Sequence, residues 1–241
     1  MTILCFFGLL ASISLKAQSP VPDNWNMEQI KGTRHISYPT AHGSPYLNEK
    51  YLSGEIELIN GVNIGNLKLR YSCYRDQLIY YNPEISAQIV IDKFSLKGFS
   101  MIDSSGIKRI FRQLYYNGFN PGNRFFEILV ESKVSLLAYR EVILETVPPY
   151  MDNLGKLNNV TYQQAFSYFL YDPVRGFEPI RINKNSLLSK FSQTDRKQVV
   201  RMLRKNRIQI KDEKSIVMAW KLIEKQNFEL LGKFNHSETN R

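Results

Sequence analysis

The sequence predicts an α+β protein in which an antiparallel β meander, barrel-like or sandwich-like, is followed by a small C-terminal helical unit. Short alternating apolar segments, separated by turn residues, run from Gly54 to Val147. Tyr and Phe, with fourteen of each in 241 residues, are typical of sheet faces. From Asn183 to Glu229 the apolar residues instead recur at helical spacing. The order of strands and then helices therefore predicts the α+β class.

The β signals begin with a hairpin. The segment GEIELI alternates between polar and apolar residues, and Asn60-Gly61 after it is a strong two-residue turn signal. In the next strand, NIGNLKLRYSCY, the alternation predicts one apolar face, formed by Leu67, Leu69, Tyr71 and Cys73. The opposite face carries Lys68, Arg70, Ser72 and Tyr74. Arg75-Asp76 then predicts a turn into a third strand.

Each later apolar segment between two turn signals predicts one more strand. The candidates are LIYY, SAQIVI, FSLKGFSMI, KRIFRQLYY, RFFEILV, VSLLAYREVIL and YQQAFSYFLY. FFEILV and SLLAY are expected to form a hairpin across Glu131-Ser132-Lys133. YQQAFSYFLY is expected to be one strand that pairs with the short segment PIRI.

Two helix starts carry capping signals. Ser192 is followed by Asp195 three residues later, a variant of the capping box, and Asp212 is placed to cap the following helix. The apolar residues after each cap keep helical spacing. They are Val199, Val200, Met202 and Leu203 in one helix and Ile216, Val217, Trp220 and Ile223 in the other.

The N-terminus predicts export. From Ile3 to Ile13 the chain has no charged residue, which suits the apolar core of a signal peptide and is too short to span a membrane. The alternative is a buried N-terminal strand or helix. The predicted organisation is a signal peptide at 1–17, an irregular lead-in at 18–45, a β-rich domain at 46–182, a helical unit at 183–231 and a flexible tail at 232–241. The expected location is the periplasm or the outer-membrane surface.

Removal of residues 1–17 would leave Cys73 as the only cysteine, so we expect neither an intramolecular disulfide nor a cysteine-based metal cluster. The alternation places Cys73 among core residues, which favours packing over nucleophilic chemistry. No phosphate loop, dinucleotide fingerprint or nucleophile elbow is present, and His35, His42 and His236 lie in predicted loops. We therefore expect no catalytic residue, no metal and no cofactor.

The formal net charge of +10 favours anionic partners. The segment DRKQVVRMLRKNR, which ends at Arg207, concentrates positive charge in one helix, at Arg196, Lys197, Arg201, Arg204 and Lys205. The ordinary interpretation is a solvated helix face, and the alternative is contact with an anionic envelope polymer, a lipid headgroup or an acidic protein. Aromatic residues for base stacking are missing from this helix, and export removes nucleic acid as a natural target. On the sheet, Lys68, Arg70 and Tyr74 form a second candidate ligand-binding stripe.

The stretch GSPYLNEKYLSGEIELINGVNIGNLKLRYSCYRDQLIYY resembles a pattern in exported proteins of Bacteroidota-type bacteria whose activity is not known. The matching residues are Gly43, Pro45, Tyr46, Leu47, Gly54, Gly61, Leu69, Arg70, Tyr71, Tyr74 and Asp76. Ser72 departs from the usual Asn of that pattern. The C-terminal part, NKNSLLSKF and the helices after it, is also similar. The resemblance implies export and a β-then-helix layout, and it implies no activity or catalytic residue.

The leading hypothesis is an exported cell-envelope binding or accessory protein without catalytic activity, associated with an envelope protein, an anionic polymer or the membrane surface. The alternative is a hydrolase of an envelope polymer that uses carboxylates on strand faces, with Glu55, Glu57, Glu127 and Glu131 as the candidates. A basic nucleic-acid binder is a third, weaker hypothesis, which would require steeply salt-dependent binding to DNA.

Overall fold

The structure is a computed structural model that describes residues 30–118, 120–151, 155, 157–226, 228 and 230–231. The predicted signal peptide, residues 18–29 of the predicted lead-in and the predicted tail lie outside the described residues. The described residues from Lys31 onward belong to one compact unit.

The described residues form thirteen strands, which are arranged in two antiparallel sheets. The strands are β1 Gly32–Arg34, β2 Leu52–Leu58, β3 Asn63–Ser72, β4 Gln77–Asn82, β5 Ala87–Ile91, β6 Leu96–Ile102, β7 Lys108–Tyr116, β8 Gly122–Val130, β9 Ser135–Tyr139, β10 Val142–Met151, β11 Leu157–Gln164, β12 Ser167–Asp172 and β13 Gly176–Ile180. The large sheet has the order β1-β5-β4-β3-β2-β6-β7-β8-β9-β12-β13, and β10 pairs with β11 in the small one. The class of the fold, antiparallel β followed by helices, is confirmed.

The large sheet is open but strongly coiled. Strands β3 and β8 are four neighbour steps apart, which is roughly 19 Å in a flat sheet. The rings of Tyr71 on β3 and Phe125 on β8 nevertheless lie 6.2 Å apart. The sheet must therefore curve until these two strands face each other, as sheet twist allows. Strand pairing leaves β1 and β13 as edges among the described residues, so the sheet does not close into a barrel.

The concave side of the sheet holds an aromatic core. Phe99 and Phe111 stack with ring centroids 4.5 Å apart, and Tyr71 packs against both at 5.4 and 5.2 Å. The predicted apolar face of β3 is confirmed, because all four of its residues are buried: Leu67, Leu69, Tyr71 and Cys73. The predicted hairpin at Asn60-Gly61 is also confirmed, and Gly61 adopts the left-handed φ of +85° that this turn requires.

Two long apolar segments that predicted single strands are each divided in two. VSLLAYREVIL becomes β9 and β10, and YQQAFSYFLY becomes part of β11 and then β12. The two breaks are next to each other in the folded chain, where the amide of Ala165 donates to the carbonyl of Glu141 at 2.9 Å. There the chain leaves the large sheet for the small one and returns. The expected partner of β12 is confirmed, although its strand begins earlier than PIRI, at Gly176.

Three helices follow the sheet: α1 Lys184–Leu188, α2 Gln193–Lys205 and α3 Glu213–Ile223. Both predicted N-caps are confirmed, since Ser192 accepts from the amide of Asp195 and Asp212 from that of Ser215. The helices pack on the β8-β9-β12-β13 end of the sheet through a shared core of Leu136, Leu170, Ile180, Leu187, Phe191, Val199, Leu203, Ile216 and Trp220. Within the described part of the chain, no helix has the length and apolar character needed to cross a membrane.

Candidate anion-binding site

The C-terminal end of α2 forms a Schellman motif around an arginine. The amide of Ile208 donates to the carbonyl of Leu203 at 2.9 Å, and the amide of Arg207 donates to that of Arg204 at 3.1 Å. Residue 207 takes the left-handed position of this motif, which Gly usually occupies, with φ of +55°. Such a conformation costs an L-residue about 1–2 kcal/mol. The chain therefore keeps an arginine where glycine is favoured.

The five predicted basic residues of α2, Arg196, Lys197, Arg201, Arg204 and Lys205, are all exposed. Arg196 differs from the other four, because its guanidinium donates to the carbonyls of Phe191 and Ser189 and so joins α1 to α2. Among the residues that the structure describes, the other four take part in no ion pair. The single acid of the helix, Asp195, accepts from the hydroxyl of the capping Ser192 at 2.9 Å.

One side of α2 borders a cleft of about 630 Å³, which we name the α1-side cleft. Its cations are Lys184, Arg204 and Arg207. Its apolar floor is formed by Val200, Leu203, Ile208 and Ile210. No carboxylate is present among the described residues that line it. The Schellman motif builds this cleft, since it brings Ile208 back onto Leu203 and places Arg207 at the rim.

The other side of α2 borders a cleft of about 410 Å³, which we name the α3-side cleft. Its cations are Arg201, Lys205 and Lys225, and its apolar residues are Met202, Leu222 and Phe228. Here, too, the lining that the structure describes contains no carboxylate. The helix is thus flanked on both sides by cationic clefts with apolar floors.

The helix dipole accounts for part of this charge. Cations in the last turn of a helix gain roughly 0.3–1 kcal/mol from the partial negative charge there, which suits Arg204 and Lys205. It does not account for Lys184 and Lys225, which come from other segments and add positive charge to the same clefts. Like charges held close together repel, and a bound anion relieves that repulsion.

Comparison with protein-family models, curated proteins and solved structures finds no match to this chain. The site is therefore interpreted from its own geometry and charge.

The second candidate site, the sheet stripe of Lys68, Arg70 and Tyr74, is largely covered by the chain itself. The amide of Leu47 donates to the carbonyl of Tyr71 at 3.0 Å, and the amide of Tyr74 donates to that of Pro45 at 3.1 Å. These bonds pair the segment that precedes β2 with the C-terminal end of β3, through an antiparallel bridge between Tyr46 and Ser72. Of the three stripe residues, only Lys68 is exposed.

Arg70 is held by the residues that cover it. Its guanidinium lies over the rings of Tyr46 and Tyr51, at 3.9 and 4.6 Å from their centroids, and donates to Gln88 at 2.9 Å. Tyr74 packs edge-on against Tyr38 and Tyr162 in the same layer. These contacts give Arg70 and Tyr74 packing roles and leave little of either for a ligand.

A buried acid, Asp76, was predicted only as a turn residue. Its carboxylate accepts from the hydroxyl of Tyr71 at 2.6 Å and from the ammonium of Lys93 at 2.5 Å, and it faces the amide of Phe125 at 3.3 Å. The side chain therefore joins β8 to the turn after β3 across the inside of the coiled sheet. Only the tertiary fold shows this, because Phe125 is 49 residues away.

Three of the four candidate strand carboxylates are in ion pairs: Glu55 with Lys108, Glu57 with Lys97 and Arg112, and Glu127 with Arg109 and Arg140. Glu131 is exposed. Hydrogen bonds from Lys108 and from Lys97, respectively, lower the pKa of Glu55 and of Glu57. A glycoside hydrolase needs one carboxyl with a raised pKa to donate a proton. These pairings give the hydrolase alternative no support.

The helices are fixed to the sheet by a buried ion network. Arg140, 2% exposed, donates through Nε to Glu127 at 2.5 Å and through both terminal nitrogens to Glu213 at 2.6 and 2.9 Å. Tyr168 adds a hydroxyl bond to Glu213 at 2.9 Å. Burial alone would raise the pKa of Glu213, but the hydrogen bonds and charge of Arg140 hold it below its ordinary value. The network fixes the start of α3.

Cys73 packs in the core, as the sequence predicted. Its side chain is buried, and this burial raises the pKa of the thiol to about 12. With this pKa the thiol stays protonated at neutral pH, and only the thiolate form is a reactive nucleophile. Over the described ranges, no three His, Cys, Asp or Glu side chains come close enough together to hold a metal ion.

Proposed function

We propose that this chain is an exported cell-envelope protein that binds an anionic envelope component through the cationic face of α2, without catalysing a reaction. The signal-like segment at 1–17 and the resemblance to exported proteins support export to the periplasm or the outer-membrane surface. The rolled, barrel-like β body serves as the scaffold. The observation that carries the binding proposal is the pair of clefts beside α2, whose described linings contain six cations and no carboxylate.

The scaffold fixes the helices that carry these cations. Val199 and Leu203 anchor α2 in the core, and Arg196 joins the start of α2 to the end of α1. The Arg140–Glu213 pair fixes α3 on the sheet. Charges carried on a fixed helix bind an anion with a smaller entropic cost than charges on a flexible loop. This arrangement supports binding over a purely solvated helix face.

The binding proposal is tested with fluorescent dextran sulfate, a polyanion without apolar groups, at several salt concentrations. The triple variant Arg201→Gln, Arg204→Gln, Lys205→Gln is compared with the matched triple variant Lys31→Gln, Arg34→Gln, Lys50→Gln, which loses the same charge from exposed positions outside both candidate sites. We expect the α2 variant to bind at least tenfold more weakly with a shallower salt dependence, and the matched variant to lose less than threefold. Equal losses would mean that overall charge, rather than the α2 face, binds the polyanion.

The export proposal is tested by fractionating cells that carry the full chain with a C-terminal tag. We expect the protein in the envelope fraction, with an intact mass that shows removal of residues 1–17. A chain recovered only from the cytoplasm at its full mass would contradict export, whatever the outcome of the binding test.

A further inference from the structure

We propose that the α1-side cleft binds the phosphate of an anionic lipid, with the first apolar part of that lipid on the cleft floor. This inference rests on the proposed function and names the class of ligand for the same face. The binding groups are the cations Lys184, Arg204 and Arg207 and the apolar residues Val200, Leu203, Ile208 and Ile210.

Charge distinguishes this cleft from a second cavity at the helical end. That cavity, of about 510 Å³, lies beside Trp220, and two cations and two acids line it: Lys133, Arg175, Asp172 and Glu224. Arg175 and Asp172 form an ion pair at 2.9 Å. The cavity beside Trp220 therefore shows no preference for the charge of a ligand. In the α1-side cleft the described lining has three cations and no acid, which is selective for an anion.

The floor of the cleft distinguishes a lipid from other anions. Val200, Ile208 and Ile210 are half-buried, so the floor still offers apolar surface beneath the cations. A free phosphate or a sulfated sugar would satisfy the cations and leave this surface in water. An anionic lipid satisfies the cations and also covers the floor. A volume of about 630 Å³ falls within the range of roughly 300–1,000 Å³ that is usual for small-molecule sites.

The α3-side cleft repeats the same chemistry on the opposite side of α2. It combines Arg201, Lys205 and Lys225 with the apolar residues Met202, Leu222 and Phe228. A single small anion can use only one of the clefts. A lipid surface presents many headgroups at once and can engage both clefts beside the same helix.

The backbone of Arg207 gives independent support. Glycine would satisfy the left-handed position of the Schellman motif at lower cost, but it would remove the cation from the rim of the cleft. Strained residues cluster at ligand sites in proteins. The strain at this position is explained if the guanidinium binds a phosphate.

The test measures binding of the purified protein to vesicles of phosphatidylglycerol mixed with phosphatidylcholine, to vesicles of phosphatidylcholine alone, and to dextran sulfate and inorganic phosphate as lipid-free anions. Arg207→Gly removes one cation, and we expect it to weaken binding to the anionic vesicles about fivefold, the effect of one cation at a charged membrane. Ile210→Thr leaves the charge of the cleft and the branching at Cβ unchanged but replaces the ethyl branch of the isoleucine with a hydroxyl. Its control is Ile59→Thr, at an exposed position elsewhere.

The proposal predicts tight binding to anionic vesicles, little binding to neutral ones, and weaker binding to the lipid-free anions. It also predicts that Ile210→Thr loses at least threefold in vesicle binding while its binding to dextran sulfate and its circular dichroism spectrum stay unchanged, although its urea midpoint falls because Ile210 packs against the core. If the wild-type protein binds dextran sulfate as well as anionic vesicles, and Ile210→Thr changes neither, the lipid inference is overturned and the proposed function stands. If none of these probes binds, both are overturned.

Discussion

Arg207 allows stability and binding to be separated in a single substitution. Its left-handed backbone conformation costs about 1–2 kcal/mol of stability, and glycine adopts the same conformation without this cost. Glycine loses about 0.5–1 kcal/mol more chain entropy on folding than other residues. Loss of the cation from the helix C-terminus lowers the stability by about a few tenths of a kcal/mol more. Arg207→Gly should therefore stabilise the protein by about 0.5 kcal/mol, or roughly 1–2 °C in Tm for a chain of this size.

The assay is urea unfolding of Arg207→Gly followed by circular dichroism, with Ser86→Gly as the matched control. Ser86 is exposed and also has a left-handed φ, of +48°, but it lies in the β4–β5 turn, far from α2 in sequence. Both variants should unfold at a higher urea concentration, and only Arg207→Gly should lose affinity for anionic vesicles. The reasoning is refuted if Ser86→Gly gains stability while Arg207→Gly loses it, because the arginine would then be an essential part of the helix end.

Four further outcomes follow from the described contacts. Arg140→Met should cost about 3 kcal/mol in urea unfolding, because Glu213 loses its cation and the buried Glu127 keeps only Arg109; a loss under 1 kcal/mol would contradict this. The folded-state pKa of Glu213 lies below its unfolded value, so the stability that its charge contributes is present at neutral pH and is lost as the pH falls below about 4.5. Glu213→Gln should therefore lower stability at pH 7 and flatten the acid side of a curve of Tm against pH. Arg70→Ala should cost about 1–2 kcal/mol through its two tyrosine contacts and change vesicle binding less than twofold; a large binding loss with unchanged stability would restore the sheet stripe as the site. Iodoacetamide at pH 8 should label Cys73 only after the protein is unfolded, and rapid labelling of the native protein would show that the thiol is accessible.

The parts of the fold that the sequence predicted are those with local signals. The alternation of β3 predicted which residues are buried, because a strand between a core and an outer side repeats every two residues. Ser192 and Asp212 predicted both helix starts, because an N-cap bonds to an amide only three residues away. In each case the decisive contact lies within a few residues of the chain.

The covering of the sheet stripe lacks such a signal. The segment around Tyr46 has no periodicity, and its contact with Arg70 depends on how the chain returns to β3. The strand break at Arg140 was missed for a similar reason: its apolar neighbours continue on both sides, while its partner Glu213 is 73 residues away. Long-range pairing of this kind cannot be inferred from a local pattern.

The candidate site was predicted only in part. Three of the five predicted α2 cations, Arg201, Arg204 and Lys205, line the clefts, but Lys184 and Lys225 come from other segments and join them only in the folded chain. Arg207 could not be told apart from the other basic residues in the sequence, because glycine and not arginine is the usual signal of a left-handed helix end. The apolar floor of the cleft was not predicted either, because Ile208 and Ile210 lie beyond the periodic part of the helix.

Amide NMR of the purified protein, titrated with short-chain phosphatidylglycerol below its micelle concentration, tests the central claim most directly. Binding in the α1-side cleft predicts progressive shifts at Lys184 and across 200–210, with none across Lys68–Tyr74. Shifts confined to the β3 stripe, or an unchanged spectrum at saturating lipid, would contradict the claim that the α2 face binds anionic lipid.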